Sequence, residues 1–170
     1  MNNLLMSAAM AAMFGAVVPA AQAATVSQPF NVTVTLTSVC TMAAIGPLAF
    51  GTYVAFQGGA QTATPTTATL TCTRGLTGVT ANFDTTPGIG ATGAAAAANA
   101  VGAGVISGLQ YDITATPGLV VAGTAANSTS IGTADSRPYS ITGSMPALQP
   151  GTCALTSCAA IQPRTLTVTY

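Results

Sequence analysis

Charged side chains are nearly absent from this chain, which has 170 residues and only 4% Asp, Glu, Lys and Arg. In a typical globular domain about a quarter of the residues are charged. The ionic side chains that occur are three arginines and three aspartates, so the formal net charge is zero. A surface of this kind has no basic patch that could neutralise phosphates. We therefore expect no nucleic-acid partner.

The chain also lacks His, Lys and Glu, which weighs against catalysis. A general base would have to come from three scattered aspartates, Asp84, Asp112 and Asp135. The stretch "GIGATG" at residues 88–93 matches the glycine pattern of a dinucleotide site, but Ala and Gly follow it where that site needs a stable helix. We interpret these glycines as loop residues and expect no enzyme, no cofactor and no metal site.

Long apolar runs are absent except near the amino terminus, at residues 4–18. This run is shorter than the roughly 20 residues that a membrane span needs. It is followed by Pro19 and then by "AQA", a small-x-small pattern typical of signal-peptidase cleavage. We predict that residues 1–23 are a signal peptide and that the protein is exported.

Four cysteines in an exported chain favour disulfides, because the compartment is oxidising and an even number can pair completely. Three connectivities are open. We favour Cys40 with Cys72 and Cys153 with Cys158, because the last two are close in sequence and need little chain to meet.

Helical periodicity is absent, whereas alternation of apolar and polar residues recurs. The segments "TTATLTCT", "GVTANFD", "LQYDITAT" and "YSITGSM" each predict a strand. Their alternation places Leu70, Phe83, Tyr111 and Tyr139 on the inward faces. The segment "RTLTVTY" places Leu166, Val168 and Tyr170 on one face. The Gly- and Ala-rich tract at residues 85–104 predicts a long surface loop or hairpin excursion. Many short strands separated by turn residues indicate an all-β sandwich.

The cleanest alternation is "QPFNVTVTLTSVC", just after the predicted cleavage site. Its apolar face consists of Phe30, Val32, Val34 and Leu36. If Cys40 is bonded to Cys72, residues 24–38 form a free arm ahead of a domain at residues 39–170. Burial of the four side chains would contribute roughly 6–12 kcal/mol before ordering costs. An arm of this kind can add as a strand to a neighbour's sheet that lacks one.

The order "FNVTVTLTSVCTM", "LAFGTY", "ATLTCT", "LQYDIT", "YSITGSMPALQPG" and "RTLTVTY" resembles the spore coat protein U family, which includes the archaic, Csu-type chaperone-usher pilins. The resemblance implies an incomplete immunoglobulin-like β-sandwich that is completed by donor-strand exchange. It implies that Cys40 and Cys72 form the sandwich disulfide. The donor side chains would be Phe30, Val32, Val34 and Leu36, and the acceptor groove and chaperone contact would be formed by Leu166, Val168 and Tyr170.

The resemblance also implies partners and a location: identical or related pilin subunits, a periplasmic chaperone and an outer-membrane usher, in an extracellular fimbrium for adhesion or biofilm formation. The alternative is a free-standing secreted β-sandwich, either a coat protein or a carbohydrate-binding or adhesin module. Such a module would be a monomer with its first strand in its own sheet. The Cys153–Cys158 loop departs from the plainer turn expected in the family.

Overall fold

The computed structural model describes residues 25–75, 77–84, 94–95 and 99–170. The chain divides into two units, Met1–Thr35 and Leu36–Tyr170. The predicted signal peptide and the "GIGATG" motif lie outside the described residues. In the described part of the chain, no helix is long and apolar enough to cross a membrane.

Nine strands lie in the second unit, and no helix occurs among the residues described. In chain order they are β1 (Cys40–Met42), β2 (Gln61–Thr62), β3 (Thr66–Cys72), β4 (Thr80–Phe83), β5 (Ala94–Ala95), β6 (Ala100–Ile106), β7 (Leu109–Pro117), β8 (Asp135–Met145) and β9 (Leu166–Thr169).

The larger sheet has the order β1-β3-β8-β7-β6, and β2 pairs with the end of β8. The smaller sheet has the order β5-β4-β9. Every pairing between these strands is antiparallel. The prediction of an all-β protein is confirmed, and the arrangement is consistent with an immunoglobulin-like sandwich.

Threonine-rich alternation explains why β3 forms where it does. Ala68, Leu70 and Cys72 are buried, and two of the threonines that alternate with them, Thr67 and Thr71, are exposed. Threonine is β-branched and suits the solvent face of a strand, while the alternate small and apolar residues pack inward. The predicted inward faces of the four "strand" segments are therefore confirmed in β3, β4, β7 and β8.

Both sheets contribute inward side chains to one core, so the smaller sheet covers part of the larger one. The buried members are Ala68, Leu70, Cys72, Val79, Ala81, Phe83, Ala100, Tyr111, Ile113, Ala115, Tyr139, Ile141, Met145 and Leu166.

Part of the Gly- and Ala-rich tract, for which the sequence predicts a long surface loop or hairpin excursion, forms strands. Residues 85–93 and 96–98 lie outside the described residues, but Ala94–Ala95 is β5 and residues 100–104 belong to β6. Gly102 and Gly104 point inward, and a Cβ on Gly104 would collide with the ring of Tyr111 on β7. The strand is therefore built from glycine because the neighbouring aromatic ring fills the space of a side chain.

We predict that Gly104→Val destabilises the mature chain by about 1–3 kcal/mol, because the added methyl groups must displace the Tyr111 ring. Urea denaturation would measure the loss. Ala103→Val is the matched control, since it adds similar bulk to the opposite face of the same strand. Equal losses in the two variants would contradict the explanation.

Candidate functional site

The arm is exposed along its described length. Residues 25–39 belong to no strand, and all of them are exposed. The exposed fractions of the apolar face run from 77% to 90% for Phe30, Val32, Val34 and Leu36. A contiguous exposed apolar face of this kind is unusual on a protein surface and is typical of an interaction site.

The chain becomes fixed at Val39, immediately after the arm. The N–H of Val39 donates to Thr73 Oγ1 at 2.9 Å, and the N–H of Thr73 donates to the carbonyl of Val39 at 2.9 Å. Cys40 and Cys72 then stand opposite each other in β1 and β3 and form a disulfide. The second disulfide joins Cys153 and Cys158. Both predicted pairings are confirmed, and the first anchors the chain where the arm ends.

The carboxyl-terminal strand β9 is an edge strand. It pairs with β4 through Thr80↔Thr169 and Phe83↔Leu166, and on its other side none of the described residues forms a strand. Such an edge presents unpaired backbone N–H and C=O groups that can accept another strand.

Of the three residues predicted for an acceptor groove, Leu166 is buried and Val168 packs against the core. Tyr170 lies beyond the end of β9 and is 54% exposed.

A polar network that sequence reasoning missed fixes the chain just before β9. Arg164 Nε lies 2.7 Å from Asp84 Oδ1, and Nη1 donates to the carbonyl of Ala103 and to Tyr111 Oη, each at 2.9 Å. The hydroxyl of Tyr111 donates in turn to Gln162 Oε1. The network ties residues 162–164 to β6 and β7 and so sets the position of the edge strand. The sequence feature that could have pointed to this network is Arg164 itself, because the chain has only three arginines.

Partial burial alone would lower the pKa of Arg164, but the hydrogen bonds to Tyr111 and Asp84 outweigh it and raise the pKa. The guanidinium is therefore held as a cation. Its side chain is only 11% exposed, which makes the ion pair with Asp84 unlike a surface salt bridge.

A second aspartate, Asp135, organises the end of the domain beside Val39, where the arm ends. Asp135 Oδ2 accepts the N–H of Gly75 at 2.9 Å, and Oδ1 accepts the N–H of Gly123 at 2.7 Å. These two bonds lower the pKa of Asp135; partial burial opposes the shift, and Arg74, whose Nε lies 3.7 Å from Oδ1, adds to it. The carboxylate thus holds both the turn after β3 and the loop before β8.

The aspartates do not form a catalytic group. Asp84 is paired with Arg164, Asp135 binds backbone N–H groups, and Asp112 is exposed on β7. Within the described ranges, no cluster of three His, Cys, Asp or Glu side chains is placed to hold a metal ion. What the geometry does offer is an open strand edge and exposed apolar side chains.

A family model, the Spore Coat Protein U domain, matches residues 26–154. The chain belongs to this family. The match includes the arm and β1 to β8, and it ends before β9. No curated protein and no solved structure matches the chain. The spore coat protein U family is one of structural pilus and coat domains, so membership points to a structural protein rather than to an enzyme. Two disulfides also fit an exported protein.

We predict that Arg164→Met lowers the free energy of unfolding by about 3 kcal/mol, because it leaves the partly buried carboxylate of Asp84 without its partner. Arg74→Met is the control, since that side chain is 45% exposed and its loss should cost under about 1 kcal/mol. Urea denaturation of the two variants would separate the values. Similar losses in the free energy of unfolding for the two variants would contradict a structural role of the network at β9.

The lowered pKa of Asp135 gives a second prediction, for acid stability. Because its folded pKa lies below the unfolded value, its contribution is complete above about pH 4 and disappears as the pH falls through the folded pKa. With no His or Glu in the chain, the free energy of unfolding should be level from about pH 5 to 7.

Chemical denaturation from about pH 2 to pH 7 would measure the effect. Asp135→Asn should reduce the fall in stability on acidification, whereas Asp112→Asn, at an exposed position, should leave it unchanged. A wild-type chain that loses no stability below about pH 4 would contradict the assignment.

Proposed function

We propose that the protein is exported through the periplasm and is a structural subunit of an extracellular pilus, in which the arm of each copy completes the sandwich of the next. The observation that carries the proposal is the arm itself, whose apolar residues alternate and are exposed, and which belongs to no strand. The free edge of β9 and membership in the spore coat protein U family support it.

The pairing that we propose is the addition of the arm to the free edge of β9. Residues directly opposite each other in paired strands point to the same side of the sheet. The apolar residues of the arm must therefore stand opposite Leu166 and Val168, since a slip of one residue would turn Phe30 and its partners toward water. Burial of the four side chains supplies roughly 6–12 kcal/mol before ordering costs.

The low charge of the chain suits this assembly. Identical copies in a fibre repeat any like-charge contact at every junction, and a chain with 4% charged residues avoids that repulsion. Apolar burial and backbone hydrogen bonds then supply the attraction between copies, and salt does not screen them as it screens charge pairs.

The proposed function also requires partners during export. Before assembly, an exposed arm and an open strand edge would pair indiscriminately. We propose that a periplasmic chaperone covers β9 at Leu166, Val168 and Tyr170, and that an outer-membrane usher directs the exchange. Residues 1–23 would act as the signal peptide, and the finished fimbrium would serve adhesion or biofilm formation.

The test is a pair of double variants of the full chain in the producing cell. Val32→Asn with Val34→Asn changes the apolar face of the arm, and Thr33→Asn with Thr35→Asn changes only the other face. Loss of two buried valines, at about 1.5–3 kcal/mol each, should reduce polymer formation by at least about 100-fold. Electron microscopy and sedimentation of surface extracts would measure polymer.

We expect the threonine variant to form fibres like those of the wild type. Two results would reject the proposal: equal polymer in both variants, or a wild-type protein that stays a solitary monomer. The second result would favour the free-standing secreted module.

A further inference from the structure

Two bulky residues adopt a backbone conformation that normally favours glycine. Phe56 has φ 61° and Leu148 has φ 60°. A left-handed conformation is an outlier for large side chains, because Cβ approaches the backbone closely. Ser107, with φ 48°, is different, because it precedes Gly108 in the two-residue turn between β6 and β7, which requires positive φ.

The two loops that contain these residues are held together by hydrogen bonds. The N–H of Phe56 donates to the carbonyl of Gln149, and the N–H of Leu148 donates to the carbonyl of Gln57, each at 2.9 Å. Tyr53 Oη donates to the carbonyl of Pro146 at 2.8 Å. The strained backbone is therefore maintained by an ordered framework of contacts.

This framework presents apolar side chains to solvent. Phe56 and Leu148 are each 66% exposed and Val54 is 64% exposed; these three residues are here called the end patch. Neither loop, residues 53–57 or 146–149, has a charged residue. The strained conformation leaves these side chains at the surface instead of burying them in the domain. Such strain is typical of a surface that binds a partner.

The end patch lies at the opposite end of β8 from Val39, the residue that follows the arm. It adjoins Met145, the last residue of β8, whereas Asp135, the first residue, pairs with Cys72 beside the start of the domain. Because β8 has 11 residues, its two ends lie roughly 33 Å apart. The arm end has its own exposed apolar residues, Val39 at 51% and Val121 at 61%.

The arm is too short to keep successive copies apart. Only two residues separate Leu36 from Val39, which is fixed to Thr73. If Leu36 is bound in a neighbour, Val39 must lie within roughly 10 Å of it. The arm end of one copy must therefore meet whichever end of its neighbour receives Leu36.

The antiparallel order of the fold identifies that end. All described strand pairs are antiparallel, and an arm added antiparallel to β9 places Leu36 near Leu166. Just before that residue, Gln162 Nε2 donates to the carbonyl of Val105 at 2.8 Å. Val105 lies near the turn that joins β6 to β7, and at the start of β7 Gln110 exchanges hydrogen bonds with Gln149. Leu148, the residue before Gln149, belongs to the end patch. The end of the domain that would receive Leu36 is therefore the end that carries the end patch.

We propose that the end patch is a second contact between successive copies, in which Phe56 and Leu148 of one copy pack against Val39 and Val121 of the next. This inference rests on the proposed arm exchange and adds to it a separate interface outside the sandwich. The contact is apolar on both sides, so it would limit bending at each junction without any charged group.

Cross-linking of the full chain tests the contact. Leu148→Cys with Val121→Cys places thiols at the two ends, which are too far apart within one copy for a short bismaleimide to join. Leu148→Cys with Val101→Cys, on an exposed position of β6, is the matched control. Assembled fibres of the first pair should give covalent ladders at least about ten times stronger than those of the control.

Equal ladders, or none, from fibres that otherwise form normally would overturn the end contact and leave arm exchange standing. Failure of the unmodified chain to form fibres would overturn arm exchange, and the end contact with it. The two failures are therefore distinguishable.

Replacement of the strained residues gives an independent readout. Asn tolerates positive φ, so Phe56→Asn with Leu148→Asn should leave the melting temperature of the unassembled chain unchanged or raise it, yet shorten the fibres. Val101→Asn is the control for a polar substitution at an exposed position. A lower melting temperature with fibres of normal length would show that the two residues serve the domain alone.

Discussion

The cross-strand pair of Cys40 and Cys72 is the fixed point on which the rest of the architecture depends. Among the described residues before this pair, 25–39, none belongs to a strand, and at this pair the chain enters the larger sheet. The disulfide and the Val39–Thr73 hydrogen bonds therefore define where the exposed arm ends and the folded domain begins. The proposed exchange of the arm depends on a domain that is closed at this point.

The few charges of the chain have structural uses. Arg164 and Asp84 join the start of β9 to the larger sheet, and Asp135 joins two loops at the opposite end of β8. Both groups sit where backbone segments need to be held in place. Few charged groups remain on the rest of the surface, so the proposed apolar contacts between copies would meet little electrostatic competition.

The sequence predicted most of the fold because alternation is a local signal. Leu70, Tyr111 and Tyr139 were all placed inward from their strand patterns alone, and both disulfides followed from spacing and family resemblance. The exposed apolar face of the arm was recognised in the same way. The acceptor role of β9 remains a prediction, as does the signal peptide.

What sequence reasoning missed depends on contacts between distant segments. Gly104 looks like a loop residue until Tyr111 on β7 is seen to fill the space beside it, and Phe83 and Ile113 lie close to Gly102 in the same way. Arg164 and Asp84 are far apart in the chain, so no local pattern joins them. The strain at Phe56 and Leu148 is a property of backbone angles, which the residue types themselves disfavour.

The burial of Arg164 also bears on the survival of the protein outside the cell. Proteases that cut after Lys or Arg find no lysine here and only three arginines. Arg164 is enclosed by its network, and Arg137 precedes a proline, which blocks such cleavage. Only the bond after Arg74 stays open to attack, so the folded chain offers proteases of this specificity a single accessible site.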